Sequence, residues 1–300
     1  MTPLREMGAT ITAREGRFPP LEIQGGALRA IDYALPMASA QVKSCILFAG
    51  LYTPGTTTVH ELIRTRDHSE LALQEFGADV TTRKGAISIE GRPRLKGREL
   101  TVPGDLSSAA FFLVGASIVP GSDVVLESVG LNPTRAGLID FLIGMGADIQ
   151  VLDVRQTAGE LVGDLQVRTG KIGGGVIEKA MTAALIDEIP VLAVLGARSE
   201  QGLRVRDASE LRVKETDRIA AVAENLRRMG VSMEVLPDGF DVPGRQQLRP
   251  AELDSFGDHR IAMAFSIAAL VCEAECSIAG AEAASVSYPE FFTTLQSMAE

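Results

Sequence analysis

Arg212-Val213-Lys214-Glu215-Thr216-Asp217-Arg218 sets three bases and two acids within seven residues. The string runs directly into Ile219-Ala220-Ala221-Val222-Ala223-Glu224-Asn225-Leu226, whose apolar positions recur at helical spacing. That spacing predicts Lys214, Glu215 and Arg218 on the first turn of a helix, with Lys214 and Arg218 sharing a face as an i, i+4 pair. Cations there oppose the positive end of the helix dipole. A local conflict of this kind points to an anion-binding site, with Glu215 placed to move a proton beside the bound anion. The same residues also fit a solvated helix start laced with ion pairs.

The elements that must position these groups recur along the chain. Helical patterns end in glycine at Gly8, Gly77, Gly146 and Gly230, spaced 69, 69 and 84 residues apart, so the unit is about seventy residues with one insertion. Each glycine fits the residue just past a helix end, followed by strand-forming sequence such as Ala9-Thr10-Ile11 or Asp148 to Val151. Each unit also carries a second helix, apolar nearly all round and therefore expected to be buried. These helices start near Ser39, Ser107, Asp187 and Asp258, and most lead through a short turn into a strand. Alternating helices and strands predict an α/β fold with mixed sheets, built of compact subdomains packed around a common axis. If the units are equivalent, the polar starts of the buried helices converge. These are Ser39 to Gln41, Asp105 to Ser108, Asp187-Glu188 and Asp258 to Arg260. Their free N–H groups would suit phosphate and carboxylate. Ser and Asp at such positions also serve as ordinary N-caps.

Three hundred residues suggest two domains with ample chain for a core. A net charge of −10 argues against nucleic acid or an anionic membrane as partner, so an anionic substrate needs a local basic cleft. Cys45, Cys272 and Cys276 are too few for a disulfide framework and fit a reducing cytoplasm. His60 is expected to end a strand, and His68 and His259 lack metal-ligand spacing, so no metal is expected. Gly173-Gly174-Gly175 lacks the Gly-Lys-Ser/Thr of a P-loop and reads as a loop or strand kink. No apolar h-region follows Met1, and no apolar run is long enough to span a bilayer.

The string from Arg212 to Arg218 resembles the signature of the 5-enolpyruvylshikimate-3-phosphate (EPSP) synthases, a family of enolpyruvyl transferases. Segments Leu35 to Gln41, Thr65 to His68, Val102 to Ser108, Leu185 to Pro190 and Gly257 to Arg260 agree in the family's order, and the resemblance spans essentially all 300 residues. It implies repeated βαβαββ units forming two lobes around buried parallel helices. Residues 1–104 would be an incomplete N-terminal lobe on the shikimate 3-phosphate side. Residues 105–300 would be the C-terminal lobe on the phosphoenolpyruvate side, with a hinge at Val102 to Asp105. The implied reaction moves the enolpyruvyl group of phosphoenolpyruvate to the 5-hydroxyl of shikimate 3-phosphate, towards chorismate and the aromatic amino acids. It needs no cofactor or metal. The resemblance further implies a cytoplasmic glyphosate target, monomeric at full length.

The resemblance also implies roles, each with an alternative in the residues themselves. Asp187 matches an aspartate on the reacting hydroxyl, a candidate base, or else caps the Pro190 helix. Glu215 matches the proton-transfer glutamate, or else pairs with Arg218. Lys214 matches a lysine that serves catalysis and both substrates. Arg218 and Arg260 match arginines on the phosphoenolpyruvate carboxylate, a task that suits bidentate forks, although Arg260 also reads as a surface residue capping Asp258. Ser39, Ala40 and Gln41 match the shikimate 3-phosphate motif, with Gln41 also near phosphoenolpyruvate. Arg66, otherwise a surface residue, matches an arginine on shikimate 3-phosphate.

Two family motifs, Pro-Gly-Asp-Lys-Ser and Asn-x-Gly-Thr-x-x-Arg, have no counterpart in these residues, and Val286 stands where some members have lysine. The isolated chain is therefore expected to be inactive or nearly so, and to expose apolar surface in its first lobe. Other readings are a non-catalytic shikimate 3-phosphate module, a half-enzyme completed by a separate N-terminal chain, and a UDP-N-acetylglucosamine enolpyruvyl transferase. The last is not expected to carry the Arg212 to Arg218 string.

Overall fold

The computed structural model describes residues 1–299. The chain forms two compact units, residues 1–102 with 156–161, and residues 103–155 with the chain from 162 onward. The first unit opens with α1 (Thr2–Glu6) and an antiparallel hairpin of β1 (Thr10–Arg14) and β2 (Phe18–Gln24). There follow β3 (Asp32–Ala34), α2 (Ala40–Gly50), β4 (Thr56–His60), α3 (His68–Glu75), β5 (Val80–Arg83) and β6 (Ala86–Glu90). The strands make one sheet in the order β3-β4-β6-β5, parallel between β3 and β4 and antiparallel elsewhere. This is a complete βαβαββ unit.

The second unit repeats the pattern. Its first run is α4 (Leu106–Ile118), β7 (Asp123–Gly130), α5 (Gly137–Gly144), β8 (Asp148–Thr157) and β9 (Glu160–Arg168), with the sheet order β7-β9-β8. Its leading strand has shrunk to Gly104, which makes one parallel bridge to Val129. The next run is β10 (Gly175–Ile177), α6 (Ala180–Leu185), α7 (Ile189–Arg198), β11 (Leu203–Val205), a 3-10 turn (Ser209–Val213), α8 (Arg218–Arg228), β12 (Glu234–Leu236) and β13 (Gly239–Val242). Its order, β10-β11-β13-β12, matches the first sheet strand for strand. A last run begins the motif again with β14 (Glu252–Asp254), α9 (His259–Ala269) and β15 (Ser277–Ala279), the strands parallel, and ends in α10 (Phe291–Ala299).

The four glycines close α1, α3, α5 and α8 in the same way. Each has positive φ, +104°, +92°, +95° and +83° in turn. In α5, Gly146 N–H donates to Ile143 O and Ala147 N–H to Leu142 O, and the same two bonds recur at Gly8, Gly77 and Gly230. This is a Schellman closure, which satisfies the last carbonyls and turns the chain into the next strand. The insertion also has a location: the β8–β9 hairpin is longer than β5–β6, and α6 is extra.

Helices α4, α7 and α9 bury nearly every residue and pack on one another. Helix α2 corrects the expectation of all-round burial. Only Lys43, Ile46, Leu47 and Gly50 are buried, and Phe48 is exposed. It lies on a single sheet, with Ile46 and Leu47 meeting Val59, Ile87 and Ile89, whereas each of the other three is walled by two sister helices. Among the described residues no helix is long and apolar enough to cross a membrane.

Candidate active site

In the second unit the starts of α4, α7 and α9 meet through their side chains. Asp105 caps α4 by accepting from Ser108 N–H at 3.2 Å, and Asp258 caps α9 by accepting from Arg260 N–H at 2.8 Å. The Ser107 hydroxyl donates to the Glu188 carboxylate, which ties α4 to α7. Arg135 donates to Ser107 Oγ and, at 3.1 Å, to Asp105 Oδ1. Arg260 Nη1 donates to the Asp187 carbonyl at 3.0 Å, and its guanidinium lies 3.8 Å from Asp187 Oδ2 and 3.9 Å from Glu188 Oε1. Within the second unit the convergence expected from the repeat is therefore present for its three helix starts. Asp187 does not cap α7. Glu188 occupies the cap position with its side chain bonded to Ser107 and making no capping bond, which leaves the Asp187 carboxylate to face arginines.

The signature string folds differently from its helical spacing. A 3-10 turn ends at Val213, Lys214 is extended, and α8 begins only at Arg218, because Asp217 takes the cap and accepts from Ala220 N–H at 3.0 Å. Lys214 and Arg218 therefore share no helical face. Lys214 Nζ instead pairs with Glu210 Oε1 at 2.5 Å. Arg212 fastens the loop by donating to Asp217 Oδ2, Leu236 O and Pro237 O, each at 2.7 Å.

Arg218 is the hub, and only 1% of its side chain is exposed. Its Nε donates to Asp258 Oδ2 at 2.8 Å and its Nη2 to Glu215 Oε2 at 2.7 Å, while Nη1 lies 3.5 Å from Asp187 Oδ1. The conflict with the helix dipole is thus resolved by three carboxylates, of which Glu215 is the most exposed at 49%. A guanidinium so buried requires that compensation. Burial pushes the Glu188 carboxyl above its ordinary value, opposed by the Ser107 hydroxyl, Arg260 and Arg135. Burial and then Arg260 push the His259 imidazole below its ordinary value, which favours the neutral ring. Asp187, Glu215, Arg218 and Arg260 thus occupy one neighbourhood with acceptors for a hydroxyl proton and donors for an anion. Lys214 lies next to Glu215 but points to Glu210.

The first-unit candidates lie at the starts of α2 and α3. Ser39 caps α2, its Oγ accepting from Val42 N–H at 3.3 Å; Ala40 is the first helical residue, and Gln41 is exposed. Arg66 is exposed just before α3, where Arg64 pairs with Asp67 at 2.7 Å and His68 Nδ1 lies 2.6 Å from Glu160 Oε1. Sequence reasoning missed Arg135 at the helix starts and Lys43 in the first unit, and placed Glu188 at a helix start without a role of its own. Glu188 stands among the polar helix starts, and Lys43 is the one charge within an apolar helix, so both left a signal. Arg135 left none, because its partners are 28 and 30 residues away.

The family model described as EPSP synthase (3-phosphoshikimate 1-carboxyvinyltransferase) matches residues 1–295. The chain is 62% identical over 300 residues to the 3-phosphoshikimate 1-carboxyvinyltransferase of Solibacter usitatus, covering 100% of this chain and 70% of that protein. It is 50% identical to the protein of the same name from Koribacter versatilis, covering 99% of this chain and 70% of the relative. A solved structure of EPSP synthase from Acinetobacter baumannii superposes with a TM-score of 0.91 at 43% identity, covering 99% of this chain and 69% of that one.

Proposed function

The chain belongs to the EPSP synthase family, and from that premise we propose how its residues divide the work of the reaction. The activity is transfer of the enolpyruvyl group of phosphoenolpyruvate to the 5-hydroxyl of shikimate 3-phosphate, giving EPSP and phosphate. The hydroxyl oxygen bonds to the substituted enol carbon, the methylene gains a proton, and the tetrahedral adduct then loses a proton and phosphate to restore the double bond.

In this reading residues 1–104 serve shikimate 3-phosphate and residues 105–300 serve phosphoenolpyruvate and the proton transfers. Ser39, through its hydroxyl, and Ala40, through its N–H, hold the phosphate of shikimate 3-phosphate. Gln41 lies along the ring and Arg66 adds charge. Asp187 takes the hydroxyl proton and Glu215 delivers one to the methylene. Arg218 and Arg260 fork the carboxylate of phosphoenolpyruvate. Because the donors of Arg218 are engaged by Glu215, Asp258 and Asp187, a ligand carboxylate must replace one of them. Glu215 is the exposed one, and its displacement frees it for proton transfer. Lys214 reaches the ligands by exchanging Glu210 for a substrate anion. The partners in this reading are the two small molecules, and the protein acts on them as a monomer. Free thiols at Cys45, Cys272 and Cys276 suit the cytoplasm.

The observation that carries this reading is the gathering of Asp187, Glu215 and Asp258 around the buried Arg218 guanidinium, with Arg260 beside Asp187. Calorimetric titration with shikimate 3-phosphate tests it. The chain is expected to bind, and Arg66→Ala and Asp187→Asn each to weaken binding by about tenfold or more, the worth of a charge-assisted hydrogen bond. No binding, or full affinity in both variants, would contradict the assignment.

A further inference from the structure

Lys43 is fully buried in α2. At the same fourth helical position the three sister helices carry Ala109 in α4, Leu192 in α7 and Ala262 in α9, all buried and apolar. The fold of the repeat therefore does not require a charge there. A buried ion pair seldom adds net stability over apolar packing, and its best-attested value is to fix one geometry.

The partners show which geometry is fixed. Lys43 Nζ lies 2.6 Å from Glu70 Oε1 and 3.2 Å from Glu61 Oε2, both nearly buried. Glu61 Oε2 also accepts from Thr65 N–H at 3.2 Å and from Thr65 Oγ1 at 2.7 Å. Thr65 adjoins Arg66, and Glu70 sits on the first turn of α3 just beyond it. One ammonium thus joins α2, whose start carries Ser39, Ala40 and Gln41, to both ends of the segment that carries Arg66. Two carboxylates share that single cation, and among the described residues Glu70 Oε2 has no hydrogen-bond partner. An arrangement selected for stability alone would not leave that oxygen unanswered.

We propose that Lys43, through Glu61, Thr65 and Glu70, is a positioning residue that holds the Arg66 segment in register with the Ser39–Gln41 helix start for binding of the sugar phosphate. The proposal rests on the reading that Ser39 and Arg66 contact shikimate 3-phosphate.

Two variants of the whole chain test it by calorimetry with shikimate 3-phosphate, alongside thermal unfolding. Thr65→Val keeps shape but removes one hydrogen bond to Glu61. It is expected to weaken binding about fivefold at an unchanged unfolding midpoint. Lys43→Met with Glu70→Met removes the cation and its nearer carboxylate and leaves Glu61 to its two Thr65 hydrogen bonds. It is expected to weaken binding about tenfold or more even where it unfolds at the temperature of the unaltered chain. A purely structural role moves the midpoint and leaves affinity alone. Should the double variant not fold, Thr65→Val decides alone. If Arg66→Ala weakens binding while Thr65→Val and a folded double variant bind like the unaltered chain, the positioning role is overturned by itself. If Arg66→Ala also has no effect, the substrate reading beneath it falls too.

Discussion

Removing a carboxylate from water raises its proton affinity unless donors compensate, and at Glu188 they compensate only in part. Burial dominates over the Ser107 hydroxyl, Arg260 and Arg135, so the folded protein holds this proton more tightly than the unfolded chain does. A raised carboxyl contributes its stability fully below the ordinary glutamate value, and that contribution is lost as pH climbs through the raised value. Glu188→Gln is therefore expected to flatten the stability profile over the range just above ordinary carboxylate titration and to be more stable than the unaltered chain at its upper end. Urea unfolding across that range measures this, and parallel profiles would refute it. Legibility at this scale was uneven. The residue types around Arg218 were readable because three acids and two bases of the site lie in recognisable strings. Their pairings were not, because Asp258 and Asp187 reach Arg218 across 40 and 31 residues. The i, i+4 relation of Lys214 to Arg218 failed for a local reason: Asp217 caps the helix three residues after Lys214 and starts it at Arg218.

Among the elements, turn chemistry was the most readable feature. A glycine past an apolar helical run, followed by β-branched sequence, marked all four Schellman closures, because few other residues accept φ near +90°. The contrast between two neighbouring glycines tests that cause. Gly146 has φ +95°, and a Cβ there would lie 3.0 Å from Lys171 O, whereas a Cβ at Gly144, the last residue of α5, meets nothing within 4 Å. Gly146→Ala should cost about 1–2 kcal/mol or more in urea unfolding. Gly144→Ala should cost nothing and gain up to about 1 kcal/mol. Equal effects would mean that the left-handed closure is not what the glycine supplies. Helix burial was less legible. Helices α2 and α4 both read as apolar, yet how much of each surface is covered depends on how many sister helices pack on it, and no single helix records that.

For the whole molecule, the seventy-residue period was enough to predict repeated α/β units, and the two four-stranded sheets repeat one strand order. The period also located the polar helix starts, whose convergence follows from equivalence of the repeats and not from any one motif. Arg135 stayed invisible because its place depends on how the turn between β7 and α5 packs against the start of α4. A net charge of −10 repels anionic metabolites at long range, so affinity must come from local cations held near acceptors. Arg260 is the sharpest probe of that claim, since its side chain is 16% exposed and it reaches Asp187 without being saturated as Arg218 is. The deciding measurement is calorimetric titration of phosphoenolpyruvate into the chain saturated with shikimate 3-phosphate, for the unaltered chain and for Arg260→Ala. The unaltered chain is expected to bind, and the variant to bind about tenfold to a hundredfold more weakly. Equal phosphoenolpyruvate affinity in the two would contradict it.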